Sequence, residues 1–327
     1  MIEPPDLRLP RPIDLHDGVV STTRHVWAML RAADAGDLAR VEQLANEIPA
    51  LATCRYDYTG PLHLALLQGH LPVCRFLVDR ASVDPGYENH VFRETLPTLA
   101  QDRGAAEIER LLREAMADPS RIQSRPDTGR IDFGFDEEET EFQRAVDEGA
   151  FARVESMLAK RPDLARNDRA FWGEGILAMP AKECDWPLVD LLMRHGASVP
   201  DLTKWGARYY FEKTEGLRGL LARGADPNHR SWRGFTLLHD FAFTGDVEKL
   251  GILLDHGAAI DALDDEYVST PLGYAAHWGR IDAVDLLLAR GADPNRAGAA
   301  WASPLAWAIR KGHREIETLL VRAGARP

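Results

Sequence analysis

The chain has 327 residues, 45% of them hydrophobic, and a formal charge of −12 from 39 Lys and Arg against 51 Asp and Glu. That balance argues against non-specific nucleic-acid binding, which needs positive charge along a phosphate track. The longest apolar runs, such as Leu286 to Ala289, fall far short of the roughly 20 residues that cross a bilayer, so no membrane span is expected.

Residues 1–22 read as an N-terminal extension. Met1 to Pro12 mixes acids, arginines and prolines with no apolar stretch, so no signal peptide is expected. Arg322 to Pro327 carries no lipidation signal. Cys54, Cys74 and Cys184 stand outside any CxxC pair or Cys/His cluster of zinc spacing. The sequence therefore predicts no metal and no cofactor, and the low, odd cysteine count suits a reducing, cytoplasmic compartment.

From residue 23 onward the chain repeats itself. Thr236-Leu-Leu-His-Asp-Phe-Ala-Phe-Thr-Gly245 leads to Leu253-Leu-Asp-His-Gly-Ala258. Thr270-Pro-Leu-Gly-Tyr-Ala-Ala-His-Trp-Gly279 leads to Leu286-Leu-Leu-Ala-Arg-Gly-Ala-Asp-Pro-Asn295. Ser303-Pro-Leu-Ala-Trp-Ala-Ile-Arg-Lys-Gly312 leads to Leu319-Leu-Val-Arg-Ala-Gly-Ala325. Anchor positions equivalent to these threonines fall at Trp27, Gly60, Thr95, Thr140, Gly175, Thr203, Thr236, Thr270 and Ser303. In the last five repeats a glycine follows the anchor by the same interval, at Gly196, Gly224, Gly257, Gly291 and Gly324.

These stretches resemble ankyrin repeats, whose signature is T-P-L-H-x-A, then G, a Leu pair, and G-A-D over about 33 residues. The resemblance implies an all-α solenoid of about nine helix-turn-helix units with short β-turn or hairpin loops. Residue physics agrees. Proline suits the first helical turn, glycine supplies the left-handed cap that ends a helix, and each helix is too short to stand alone, so stacking must stabilise it. His63 and His239 hold the motif's histidine, which in that position bonds locally and ties loops between repeats.

Repeats one to three occupy residues 23–116. The segment 117–137 is polar and turn-rich, an inserted loop that becomes acidic. Repeats four to nine then occupy 138–327, restarting at Gln143-Arg-Ala-Val-Asp-Glu-Gly, which mirrors Leu30-Arg-Ala-Ala-Asp-Ala-Gly. In the third repeat proline comes one place late. In the sixth, Trp205, Arg208 and Tyr209 replace small or leucine positions, which predicts a local change of curvature.

The resemblance places partner contacts on the hairpin loops and the inner face of each first helix. Those positions hold Phe171, Trp172, Tyr210, Phe211, Trp232, Arg233, Phe235, Phe243, Tyr267, His277 and Trp278. Aromatics and arginine are the usual anchors of interfaces, so repeats five to eight are expected to bind a protein partner through a concave aromatic groove. The competing expectation is that some of these rings pack on one another inside the solenoid. The acids Asp136 to Glu139, Asp147 and Glu148 are either a solvated loop or a dock for a basic segment.

No Gly-x-Ser-x-Gly, GxxxxGK[ST] or HExxH pattern occurs, so no catalytic residue is expected. The alternative is a small-ligand site or an enzyme in the same groove around repeats six to eight, built from His277, Tyr210, Glu212, Lys213, His239 and Asp240. The overall expectation is a monomeric, cytoplasmic protein-interaction scaffold. Its arginine- and alanine-rich style, with Gly-Ala-Asp-Pro-Asn turns, resembles bacterial arrays.

Overall fold

A computed structural model describes residues 1–15, 19–80, 88–89, 92–118, 130–131, 134–167, 170–173, 175–198, 211 and 213–326. The chain divides into two compact blocks, Glu3–Gly134 and Phe135–Pro327 with Met1–Ile2.

In the first block, three helical pairs follow one another: Thr23–Ala35 with Leu38–Glu47, Pro61–Leu67 with Leu71–Arg80, and Leu96–Asp102 with Ala106–Met116. Thr95 shows how such a helix starts. Its side chain accepts from the Thr98 N–H, satisfying a donor that the first turn leaves open. The first helix begins a turn earlier than its anchor, Trp27, because Ala28 imposes no stop. It extends back to Thr22, whose side chain accepts from His25 N–H. A short helix, Pro5–Arg8, packs on this first helix, and Thr23 Oγ1 donates to the Leu9 carbonyl at 2.5 Å.

The same block adds a small antiparallel sheet that the sequence pattern did not reveal. Strand β1 (Pro12–Leu15) lies between β2 (Val19–Thr22) and β3 (Arg130–Ile131). Ile13 faces Ser21 on one side and Ile131 on the other. The N-terminal extension and the inserted loop, read separately as irregular, therefore share a sheet.

In the second block the pairs are Glu137–Asp147 with Phe151–Leu158, Ala178–Glu183 with Trp186–Arg194, Leu237–Thr244 with Val247–Asp255, Pro271–His277 with Ile281–Ala289, and Pro304–Lys311 with Arg314–Arg322. Helix Thr214–Leu221 is the second helix of repeat six. Trp205, Arg208 and Tyr209 of that repeat lie outside the described residues. Like the first, the fourth repeat starts before its anchor: Asp136 and Glu139 form a reciprocal capping box ahead of Thr140. First helices stack on first helices and second on second through repeats seven to nine.

One leucine per repeat forms the spine of each block. Leu44, Leu77 and Leu112 are buried in the first; Leu158, Leu192, Leu220, Leu253, Leu287 and Leu320 are buried in the second. Truncating any one to alanine costs about 2–5 kcal/mol. Gly196, Gly224, Gly257, Gly291 and Gly324 all have φ between 83° and 98°, the left-handed caps that end the second helices. Among the described residues, no helix is long and apolar enough to cross a membrane.

Candidate functional site

The loops before repeats seven and eight and the first helices of repeats seven to nine bring five of the predicted residues, Phe235, Phe243, Tyr267, His277 and Trp278, into one cluster. Its organiser is Asp264, a buried residue the sequence did not mark. Asp264 Oδ2 accepts from Glu266 N–H (2.6 Å), Tyr267 N–H (2.8 Å) and the Tyr274 hydroxyl (2.8 Å), while Oδ1 accepts from Ser269 N–H (3.0 Å). These bonds draw the loop Asp264–Ser269 inward and turn Tyr267 into the protein, leaving it 1% exposed. Burial pushes the Asp264 carboxyl up to about 6 even though its donors oppose the shift. Burial, then the Asp264 charge, pushes the Tyr274 phenol up as well.

Around this loop the rings interlock. Tyr267 meets Tyr274, His277, Trp278 and Trp307 edge-on, at centroid distances of 5.3–5.8 Å. His277 is sandwiched between Trp278 (3.8 Å, 18°) and Trp307 (4.0 Å, 14°). Phe243 stands edge-on to Trp278 at 4.9 Å. Phe235 stacks on His239 at 5.4 Å and touches Tyr274. Edge-to-face pairs of this kind add about 0.5–1.5 kcal/mol each beyond the area they bury.

Beside the rings, Arg233 forms a buried salt bridge with Glu266, and its guanidinium lies 5.7 Å from the Trp232 ring. The Trp232 carbonyl accepts from Ile2 N–H at 2.8 Å. A buried charge pair is costly unless both members stay together, so this one fixes the two hairpin loops relative to each other.

The eleven predicted partner residues thus separate into groups. Phe235, Phe243, Tyr267, His277 and Trp278 are brought together, with Trp232 and Arg233 beside them. Trp232, Arg233, Tyr267, His277 and Phe211 are buried, whereas Phe235, Phe243 and Trp278 keep part of their surface in solvent. Phe171 lies elsewhere: it packs against the core of repeats four and five, with φ at 50°, an uncommon backbone state for a bulky residue. The Trp172 side chain and Tyr210 lie outside the described residues.

Sequence reasoning missed Tyr274 and Trp307, which share one motif position in successive repeats. The signal was present as helical spacing, since Tyr274 lies one turn before Trp278 and stacks on it at 5.3 Å.

The catalytic alternatives are mostly committed to structure. His239 Nδ1 accepts from Thr236 N–H (3.2 Å) and lies 2.8 Å from the Thr236 hydroxyl; Nε2 donates to the Ser269 carbonyl of the next repeat (3.3 Å). Burial holds this imidazole down at about 3, so it is neutral. Asp240 is buried, and Lys213 is exposed and pairs with Glu183 at 3.3 Å. Glu212 lies outside the described residues.

In the eighth repeat Gly273 replaces the motif's histidine, and a Cβ there would sit 2.0 Å from Ser269 Oγ. That hydroxyl donates to the Ala302 carbonyl at 2.8 Å, which is the counterpart of the Ser269 carbonyl one repeat on. Two different donors therefore make the same tie between neighbouring repeats.

The acidic stretch at the start of the second block carries its own cations. Arg161 bridges Asp136 (3.3 Å), Glu138 (3.0 Å) and Asp163 (2.8 Å). Glu141 pairs with Arg144 and Arg153. Its caps and exposed ion pairs fit a solvated helix start.

Comparisons with known proteins follow the same repeats. Family models described as ankyrin repeats match residues 204–297 (three copies), 274–321 (many copies) and 59–90 (one repeat). The B-cell lymphoma 3 protein homolog of Mus musculus is 36% identical over 147 residues, covering 42% of this chain and 33% of that protein. The palmitoyltransferase Hip14 of Drosophila melanogaster is 38% identical over 78 residues, 24% of this chain and 12% of that one. This chain thus spans a third or less of these curated relatives. A crystal structure of an ankyrin repeat domain from Acinetobacter baumannii AYE aligns with 57% of this chain and all of that one, at 28% identity and a TM-score of 0.48.

Proposed function

Because the chain is an ankyrin-repeat protein, and such repeats are generally protein-interaction modules, we propose that it captures a protein partner on the aromatic face of repeats seven and eight. The observation that carries this reading is the Phe243–Trp278 pair. Both rings are half-buried, lie edge-on at 4.9 Å, and end the first helices of neighbouring repeats. Beneath them Tyr267, His277 and Trp307 form a buried floor that holds Trp278 in place. Rigid, partly exposed aromatics lose little entropy when covered, which is why they anchor interfaces.

Tyr267 lies buried against Trp278, and Trp232 is buried in the loop before repeat seven, so substitutions at either report on folding. Phe243 and Trp278 report on binding. The proposed partner surface also takes in the exposed part of Phe235, the hairpin loops, and the inner positions of repeats five and six. The ankyrin fold is typically non-enzymatic, and we assign this chain no catalysis. A cytoplasmic setting belongs to the same reading, since the three thiols are all unpaired and Cys54 and Cys74 are buried.

The test is affinity purification from the native host with the wild type and a Phe243→Ala/Trp278→Ala variant, read by mass spectrometry with circular dichroism of both. A protein retained by the wild type and lost by an equally helical variant supports the assignment. Equal retention by both would refute it.

A further inference from the structure

The inner positions that hold aromatics in repeats seven and eight hold cations in repeat nine. Seven and eight residues after the anchors Thr236, Thr270 and Ser303 stand Phe243 and Thr244, then His277 and Trp278, then Arg310 and Lys311. The first helices of these repeats pack in order, Leu237–Thr244 on Pro271–His277 and Pro271–His277 on Pro304–Lys311. The half-buried pair Phe243–Trp278 is therefore followed, one helix along, by two positive charges. Arg310 is exposed and Lys311 is partly so.

A ring stack leads from the one to the other. Trp278 stacks on His277 and His277 on Trp307, and Arg310 and Lys311 lie over the Trp307 ring at 4.7 and 5.8 Å. Arg310 also donates to the Trp301 carbonyl at 3.2 Å. Ring and carbonyl hold these long side chains, so less freedom is lost when a carboxylate meets them. The local charge departs from that of the chain: Pro294 to Arg314 contains Arg296, Arg310, Lys311 and Arg314 and no aspartate or glutamate, in a protein of net charge −12. In repeats seven and eight, Asp240 and Asp264 are buried and Glu266 is paired with Arg233.

Packed helices lie about 8–10 Å apart and an extended chain advances about 3.3 Å per residue, so an extended segment crossing the first helices meets a new repeat about every three residues. We propose that the partner carries an extended acidic segment, whose apolar residue covers Phe243 and Trp278 and whose carboxylates, about three residues on, meet Arg310 and Lys311. This rests on the assignment of Phe243 and Trp278 as a partner-binding pair and names the chemistry of what they bind. The aromatic pair supplies the anchor, and the cations set the direction in which the segment runs and exclude basic segments.

The experiment uses the full chain and three fluorescein-labelled peptides that share one Trp-Leu pair and carry, three and four residues on, two glutamates, two serines or two lysines, with binding read by anisotropy. The glutamate peptide is expected to bind about fivefold tighter than the serine peptide at low salt, the difference shrinking as salt rises, and the lysine peptide more weakly than either. Arg310→Gln with Lys311→Gln is expected to bring the glutamate peptide down to the affinity of the serine peptide, in a chain whose circular dichroism is unchanged. Phe243→Ala with Trp278→Ala is expected to abolish binding of all three. Equal affinity of the three peptides, equal weakening of the glutamate and serine peptides by the Arg310 and Lys311 substitutions, or no binding by any peptide overturns the proposal. So does binding of an RNA oligonucleotide or of phosphatidylserine vesicles that is lost with Arg310 and Lys311 and is not displaced by the glutamate peptide. The partner face is judged separately, by whether capture from the native host needs Phe243 and Trp278. Capture that needs those rings but is indifferent to Arg310, Lys311 and salt leaves that face standing and overturns the acidic segment.

Discussion

Replacing Asp264 by alanine tests the organisation of the aromatic cluster, because one side chain accepts four hydrogen bonds there. Each buried donor left without an acceptor costs about 1–3 kcal/mol; the low end is appropriate because the loop can relax, giving about 4 kcal/mol in all. Working against that loss is the cost of keeping the carboxylate ionised. Its titration is raised from 3.8 to about 6, so ionisation in the folded chain costs about 3 kcal/mol more than in the unfolded chain. The folded chain binds this proton more tightly than the unfolded chain. The corresponding stability is fully present below 3.8 and is lost as pH rises through about 6. The substitution is therefore expected to cost about 4 kcal/mol near pH 4 and about 1 kcal/mol near pH 7.5. Urea denaturation of both proteins at the two pH values, followed by the fluorescence of Trp278 and Trp307, measures the difference. His239 titrates in both proteins and cancels from the comparison. A loss that is equal at the two pH values, or larger at the higher one, would refute the assignment of Asp264 as a buried, weakened acid.

The opposite pH dependence is expected from His239. Burial lowers its titration from 6.5 to about 3, so its contribution is present above 6.5 and lost as pH falls towards 3, by up to about 5 kcal/mol. A His239→Gln variant should lose less stability on acidification than the wild type, as thermal melts across that range would show. Gly273→Ala should destabilise by about 1–3 kcal/mol through overpacking against Ser269. Adding Ser269→Ala should cost less than the sum of the two single changes, measured as a double-mutant cycle in urea. Burial pushes the Cys54 and Cys74 thiols up to about 12, whereas Cys184 is only partly buried. With an aromatic disulfide reagent the native protein should show fast reaction at Cys184, and at the other two only after unfolding.

The repeats were legible because their punctuation is local. Thr95, Thr270 and Ser303 cap helices that begin at the next residue, and proline in the first turn stops each helix from growing backwards. At Ala28 and Glu141 that proline is missing and the helix runs back to Thr22 and Asp136, so the anchors Trp27 and Thr140 fall inside helices; Leu237 lacks it too, yet its helix starts directly after Thr236. The sheet was not legible, because its strands are two to four residues long and one of its two pairings spans more than a hundred residues of chain. Nor could the motif tell which groove aromatics face solvent. That depends on Asp264, a residue inside a loop whose composition looks like any polar turn, and on Tyr274 and Trp307 filling the space beneath Trp278.

The two ways of tying one repeat to the next bear on how such arrays can be recombined. In repeat seven the donor, His239, travels with its own helix. In repeat eight it is Ser269, which precedes the anchor threonine and needs the space that Gly273 leaves empty. A chimera joined at Thr270 would separate Ser269 from Gly273. It would either crowd a foreign side chain against the hydroxyl or leave a gap with no donor to fill it. Joints placed within the second helices, such as Ile281–Ala289, keep each donor with its space, so the unit of exchange in this protein is offset from the unit of repetition.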